Sequence, residues 1–293
     1  MSHKAGFVNI IGSPNVGKST LMNALVGEKL SIITSKVQTT RHRIMGIVNG
    51  EDFQIVYSDT PGIIKPGYRL HESMMKYVRN AFTDADIILF VTDIFERELE
   101  DKAILKKIQN AKVPVLLLIN KIDLGDQDKL EERVDYWKSK VENAMVIPIS
   151  ALRKFNVTGV FDKIMEALPE APPYFPKDQL TDKPERFFVS EMIREKIFKN
   201  YQKEIPYSVS IVIESYKEEE KIIRIRAEIF VIRESQKGII IGHKGKALKK
   251  VGVQARKDIE EFLGKQVYLE LYVKVSKDWR NKESSLRRFG YAN

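Results

Sequence analysis

Short apolar runs alternate with helically spaced apolar residues through the first half of the chain. Residues 7–11, 53–57 and 87–92, with Val115–Asn120 and Ala144–Pro148, are rich in Ile, Val and Leu and predict strands; 72–82, 102–110 and 129–141 predict helices between them. Alternation of this kind builds an α/β domain, a mostly parallel sheet covered by helices. The pattern breaks after Leu168, where four prolines fall within residues 169–176. Proline lacks an amide hydrogen and fixes φ, so this stretch ends the helix and predicts an extended, semi-rigid connector. Beyond it the pattern changes. Residues 186–201 predict a helix, and Val209, Ile211 and Ile213, then Ile223, Ile225, Ala227, Ile229 and Val231, alternate with less apolar neighbours as half-buried strands. Leu248, Val251, Ala255, Ile259 and Phe262 share one helical face, and Val267, Leu269, Leu271, Val273 and Val275 point inward from a last strand. The order is α-β-β-α-β, with a short extra segment at 238–242. The expected layout is an α/β domain over 1–170, a proline-rich linker over 171–185, an α+β domain over 186–276 and a basic, aromatic tail over 277–293.

Charge placement sharpens this division. The 293 residues include 49 Lys or Arg and 40 Asp or Glu, a formal +9. Residues 1–170 carry a net charge of only +1 and 171–232 balance, whereas 233–293 hold 15 basic and 7 acidic residues. An excess confined to the end of the chain predicts a polyanion-facing module beside a nearly neutral one. The absence of cysteine removes disulfides, thiolate metal sites and thiol nucleophiles, and suits a cytoplasmic chain. No apolar run approaches the roughly 18 residues of a membrane span. The N-terminus reads as a buried strand and not as a signal peptide.

Four segments at the C-terminal ends of predicted strands carry the chemistry of a nucleotide site. Gly12-Ser13-Pro14-Asn15-Val16-Gly17-Lys18-Ser19, followed by Thr20, lies between a strand and a helix. Its glycines let backbone amides curl around phosphate, Lys18 reaches the β and γ oxygens, and the Ser19 hydroxyl suits Mg²⁺. Asp59-Thr60-Pro61-Gly62-Ile63 places Asp59 to hold Mg²⁺ through water and the Gly62 amide to sense a γ-phosphate. Thr40 is the candidate switch threonine that closes on Mg²⁺. Asn120-Lys121-Ile122-Asp123 supplies a carboxylate that pairs with guanine N1–H and N2–H₂; adenine offers neither, so Asp123 selects GTP over ATP. Ser150-Ala151-Leu152 offers a backbone amide to guanine O6. Singly, these residues also serve as turn or helix-cap residues; together, in this order, they predict a GTP site.

The charged end contains Gly242-His243-Lys244-Gly245, the one G-x-x-G of the chain, preceded by Ile239-Ile240-Ile241. The helix after it presents Lys246, Lys249, Lys250 and Arg256, with Lys257 beyond, and no acidic residue occurs from Lys237 to Lys257. A solvated helix face interleaves both signs, so this segment predicts RNA binding through a type II KH arrangement, which clamps about four nucleotides of single strand. The tail from Trp279 to Tyr291 is equally suited to stacking on bases and to packing on its own domain.

The P-loop, Gln38-Thr39-Thr40-Arg41-His42-Arg43, Asp59-Thr60-Pro61-Gly62-Ile63, Asn120-Lys121-Ile122-Asp123, Lys274-Val275 with Asp278-Trp279-Arg280, and Phe289-Gly290-Tyr291 together resemble the Era family of bacterial GTPases over almost the whole chain. The resemblance implies a P-loop GTPase domain plus a type II KH domain. It also implies GTP/GDP and Mg²⁺ as ligands, binding of 16S rRNA near its 3′ end, and a part in assembly of the small (30S) ribosomal subunit. Ile63 stands where Ras-like enzymes carry a water-orienting glutamine, which implies slow intrinsic hydrolysis with Lys18, Thr40 and Gly62 as the catalytic positions. In related GTPases an asparagine at the Asn15 position, with a loop like 34–39, binds K⁺; Asn15 is therefore a candidate K⁺ ligand, its alternative being to stabilise its own turn. Peripheral association with the anionic inner membrane is a secondary expectation, and no stable protein oligomer is expected. A constitutive RNA-binding scaffold with a structural nucleotide site is the alternative function.

Overall fold

The computed structural model describes residues 2–291; Met1 and residues 292–293, at the ends of the expected first domain and tail, lie outside the described residues. Strand β1 (Lys4–Gly12) is buried on both faces, as a central parallel strand must be. Around it lie β2 (Ile44–Asn49), β3 (Phe53–Asp59), β4 (Ile87–Asp93), β5 (Val115–Asn120) and β6 (Ala144–Pro148), in the order β2-β3-β1-β4-β5-β6. All neighbours run parallel except β2 and β3. Helices α1 (Lys18–Val26), α2 (Arg69–Asn80), α3 (Lys102–Gln109), α4 (Gln127–Lys140) and α5 (Val157–Ala167) alternate with the strands. Ile11, Phe90, Leu117 and Trp137 share one buried cluster of this sheet.

Strand β2 is absent from the strands expected of the sequence. Its six residues include Gly46, whose Cβ would stand 2.7 Å from Val26, so close packing holds a strand where the pattern is weak. Its free edge is covered by the proline-rich stretch. Ile47 N donates to Leu180 O (2.8 Å), Thr181 Oγ1 to Met45 O (2.6 Å), and Met45 N to Asp182 Oδ1 (2.9 Å). Further back, Tyr174 N and Phe175 N both donate to Gln54 Oε1, and the Tyr174 ring lies 4.9 Å from that of Phe7. An uncovered edge strand invites pairing with other chains; here residues 174–182 form a strap along it.

The chain divides into two units, one ending at Asp182 and the other comprising Tyr68–Ser73 and the chain from Lys183. The second unit contains α6 (Glu185–Asn200), α7 (Ile205–Ser208), β7 (Ser210–Glu218), β8 (Ile222–Val231), α8 (Glu234–Ile241), α9 (Lys246–Leu263), β9 (Gln266–Val275) and α10 (Glu283–Arg288). Strands β7 and β8 pair antiparallel, and β8 and β9 parallel. Helices α6 and α9 cover the sheet over a core that includes Ile193, Ile225, Val251 and Ile259. The short extra segment expected at 238–242 is the end of a full helix, α8, whose start is closed by Gln236 Oε1 accepting from Arg233 N (3.2 Å).

The tail packs on its own unit. Trp279 is fully buried, its Nε1 donates to Ser208 O (2.9 Å), and its ring meets Phe289 and Tyr291 at 5.3 and 6.0 Å. Trp279→Ala is therefore expected to destabilise this unit by about 3–5 kcal/mol, the range for truncating a buried aromatic side chain. Denaturant unfolding followed by circular dichroism checks this; a loss below about 1 kcal/mol would mean the tail is peripheral.

Candidate functional site

The loop from β1 into α1 begins at Gly12, where a Cβ would lie 2.0 Å from Val91 O, and ends at Gly17, whose φ of +98° favours glycine. Between them the Lys18 side chain folds back over the loop and is buried. Its Nζ donates to Gly12 O (3.0 Å) and Ser13 O (2.7 Å). Burial lowers its pKa from 10.5 to about 8, with the carboxylates of Asp59 and Glu96 acting against the shift. Phosphate binding requires the charged form, so GTP affinity is expected to fall about twofold from pH 7 to 8 and more steeply above pH 8, approaching tenfold per pH unit. Mant-GTP titrations across this range check the sign; constant affinity to pH 9 would contradict it.

Ser19, Thr40 and Asp59 meet beside Lys18. Ser19 Oγ donates to Asp59 Oδ2 (2.7 Å), and Thr40 Oγ1 lies 2.9 Å from Ser19 Oγ and 3.4 Å from the same carboxylate oxygen. Asp59 is fully buried and its Oδ1 has no hydrogen-bond partner. Burial pushes its carboxyl upward in pKa, opposed by Ser19, Lys18, Ser31 and Thr40. An unsatisfied buried acid between two hydroxyls is a hard-oxygen set of the kind Mg²⁺ selects, so the residues present fit the ion.

Gly62 passes close over the P-loop; a Cβ there would lie 2.8 Å from Pro14 Cα. Ile63 N donates to Gly12 O (3.1 Å), and the Ile63 side chain is buried. Thr60 Oγ1 donates to Ile10 O (2.7 Å), which fixes the start of this segment to β1. Asn15 adopts φ +63°, and its Nδ2 donates to Ser35 O (3.1 Å), tying the P-loop to the 34–39 loop.

At the other end of the pocket Asn120 joins three segments. Its Nδ2 donates to Val16 O (2.7 Å) and its Oδ1 accepts from Ala151 N (2.9 Å). The Ala151 amide is thus committed to Asn120. Ser150 Oγ donates to Asp123 Oδ1 (2.6 Å), and Lys121, at φ +61°, places Nζ 2.7 Å from Asp93 Oδ2. All these segments line one cavity of about 500 Å³, together with Ile32, Ile33 and Leu124, which the motifs did not point to. Leu124 and Leu152 are exposed apolar side chains at the Asp123 end, suited to a base face.

In the second unit, Gly242 (φ +68°) and Gly245 (φ +76°) flank Lys244 (φ +49°) in a tight turn between α8 and α9. A Cβ on Gly242 would meet Ala247 Cβ at 2.6 Å. His243, Lys244 and Lys246 line this turn and the start of α9, with Lys244 exposed. Beside the turn runs a groove of about 360 Å³ whose floor is Leu248, Gly252, Val253, Leu269 and Leu271, rimmed by Lys249 and Arg256. Lys250 is exposed but does not line it.

This fold and these two sites define a P-loop GTPase joined to a KH domain. Residues 7–121 match the model of the 50S ribosome-binding GTPase family and 204–280 that of the KH domain. GTPase Era of Staphylococcus haemolyticus is 46% identical over 291 residues, 99% of this chain and 97% of that protein. Two solved Era structures, each 40% identical with a TM-score of 0.93, cover 99% of this chain and are themselves covered completely. One is a single-residue variant of Aquifex aeolicus Era bound to GDP·AlF₄⁻; the other is Era with MgGDPNP and nucleotides 1506–1542 of 16S ribosomal RNA. The chain belongs to the Era family of GTPases.

Proposed function

We propose that this GTPase is a GTP-driven switch that binds 16S rRNA near its 3′ end through the KH groove and assists assembly of the 30S subunit. The observation that carries the reading is the solved Era of 40% identity that holds MgGDPNP and nucleotides 1506–1542 of 16S rRNA at once. In support, the nucleotide motifs here gather at one cavity and the G-x-x-G turn borders one basic groove, each within its own unit.

Asp123 and Ser150 read guanine, Lys18 and the amides of residues 15–20 hold the phosphates, and Ser19, Thr40 and Asp59 hold Mg²⁺. When bound, Mg²⁺ neutralises charge on the β- and γ-phosphates. Gly62 N–H and Thr40 sense the γ-phosphate. Ile63 cannot hydrogen-bond to water, so this chain contributes no side-chain base; hydrolysis rests on positioning and on charge neutralisation by Lys18 and the P-loop amides. Asn15 is the ligand proposed for K⁺, and equal turnover in KCl and NaCl would remove that assignment. Loss of the γ-phosphate releases the segments around Thr40 and Gly62. Met45 and Ile47, five and seven residues beyond Thr40, are the β2 positions bonded to Leu180, Thr181 and Asp182, so release of Thr40 has a direct route into the strap that leads to the second unit.

The basic Lys237–Lys257 stretch also attracts anionic lipid, and peripheral membrane association stays a secondary proposal. Among the described residues no helix is long and apolar enough to cross a membrane. Fluorescence anisotropy with a labelled 16S 3′-terminal fragment tests the switch. At least tenfold tighter binding with GDPNP than with GDP is expected. Equal affinities would leave a constitutive RNA-binding scaffold.

A further inference from the structure

A carboxylate is clamped against the P-loop. Glu96, in the turn after β4, accepts from Ser13 Oγ through Oε1 and from Thr92 Oγ1 through Oε2 (2.6 Å). Glu96 N donates to Asp93 O (3.1 Å) and Oδ1 (3.0 Å), and Asp93 is the acid that pairs with Lys121. Ser13 therefore has the Lys18 ammonium on its carbonyl and the Glu96 carboxylate on its hydroxyl. Burial raises the Glu96 pKa, Ser13, Thr92 and Lys18 oppose the rise, and Asp93 adds to it. Glu96 also borders a cleft of about 800 Å³ with Pro14, Ile63 and Leu99, which gives water a path to the carboxylate.

A phosphate site gains affinity from positive charge and loses it from negative charge. A neutral amide could hold the Ser13 hydroxyl through its oxygen while its NH₂ donates to Thr92 Oγ1, so hydrogen bonding alone does not require a charge here. The charge itself is thus the unexplained part, and it acts on the same loop that cradles the most highly charged part of the nucleotide. We propose that Glu96 tunes nucleotide release: its carboxylate, fixed under Ser13 by Thr92 and the Asp93 turn, opposes the phosphate charge and shortens the residence of bound nucleotide. Glu96 acts through the loop and does not touch the reacting atoms. The proposal rests on the P-loop's holding the phosphates.

Stopped-flow release of mant-GDP and mant-GTP from the full chain, with Mg²⁺ at pH 7, where Lys18 remains charged, separates charge from architecture. Glu96→Gln keeps the size and an acceptor; it is expected to slow release of both nucleotides about tenfold, as removal of one nearby like charge at intermediate dielectric should. Glu96→Asp keeps the charge but shortens the reach, and is expected to release within about twofold of the parent chain. Glu96→Ala removes both charge and hydrogen bonds and should also slow release. Unchanged or faster release from Glu96→Gln or Glu96→Ala overturns the proposal, as does Glu96→Asp releasing as slowly as Glu96→Gln. Failure of the parent chain to bind mant-GDP would instead strike at the nucleotide site itself.

Discussion

The Asp123→Asn protein is expected to bind GTP about a thousandfold more weakly and to prefer xanthosine triphosphate, because a site built around required donors rejects a ligand that mismatches them. Ser150 Oγ donates to Asp123 Oδ1 at 2.6 Å and orients the carboxylate towards the base end of the cavity. Guanine presents N1–H and N2–H₂, two donors that a carboxylate accepts together. An asparagine turns one acceptor into a donor, which faces the guanine amino group and leaves two donors opposed. Xanthine carries a carbonyl at that ring position and accepts from the new amide. Isothermal titration with MgGTP and MgXTP measures both sides. A loss of GTP affinity with no gain for XTP would show that the substitution merely damages the pocket.

Gly17→Ala is expected to weaken binding of both GDP and GTP by at least about 100-fold, through two effects that fall on one residue. The backbone there has φ +98°, a conformation that L residues rarely adopt. A Cβ would also lie 2.2 Å from Asn120 Nδ2. Asn120 cannot retreat freely, since it bridges Val16 O and Ala151 N and so fixes the base-reading segment to the P-loop. The substitution therefore disturbs the phosphate and guanine ends at once, and affinity for GDP and GTP should fall together. Equilibrium titration, with circular dichroism to verify the fold, checks this. Affinity within tenfold of the parent chain would contradict the close approach.

What the sequence disclosed followed from how tightly chemistry restricts residue choice. Lys18, Ser19, Asp59, Asn120 and Asp123 lie at strand ends in a fixed order, and the structure brings them to one cavity or its edge. Glycines 242 and 245 likewise lie in left-handed backbone where the motif needs them. Strand β2 escaped because its Gly46 breaks the apolar alternation and because, besides its hairpin partner β3, it packs on Met22 and Val26 and bonds to residues 180–182, which no local pattern discloses. Helix α8 looked like a short apolar segment because Gly238 and three successive isoleucines are weak helix formers; packing and the Gln236 bonds decide its form. The strap could be read as non-helical from its prolines, yet nothing local told that Leu180 and Thr181 would bond to β2. Asp93 and Glu96 act through space on Lys121 and Ser13, and no spacing rule links them. The tail's packing on its own unit rests on the burial of Trp279, its bond to Ser208 O and its contacts with Phe289 and Tyr291, none of which the local pattern of residues 279–291 announces.

Crosslinking and sequencing of the RNA bound to the full chain in cells or lysate, with the protein held in its GDPNP-bound and GDP-bound forms, tests the central claim most directly. A single dominant peak at the 3′ end of 16S rRNA in the GDPNP form, much reduced with GDP, is the predicted result. The same peak at equal height in both forms would contradict the switch, and a peak elsewhere would contradict the proposed partner.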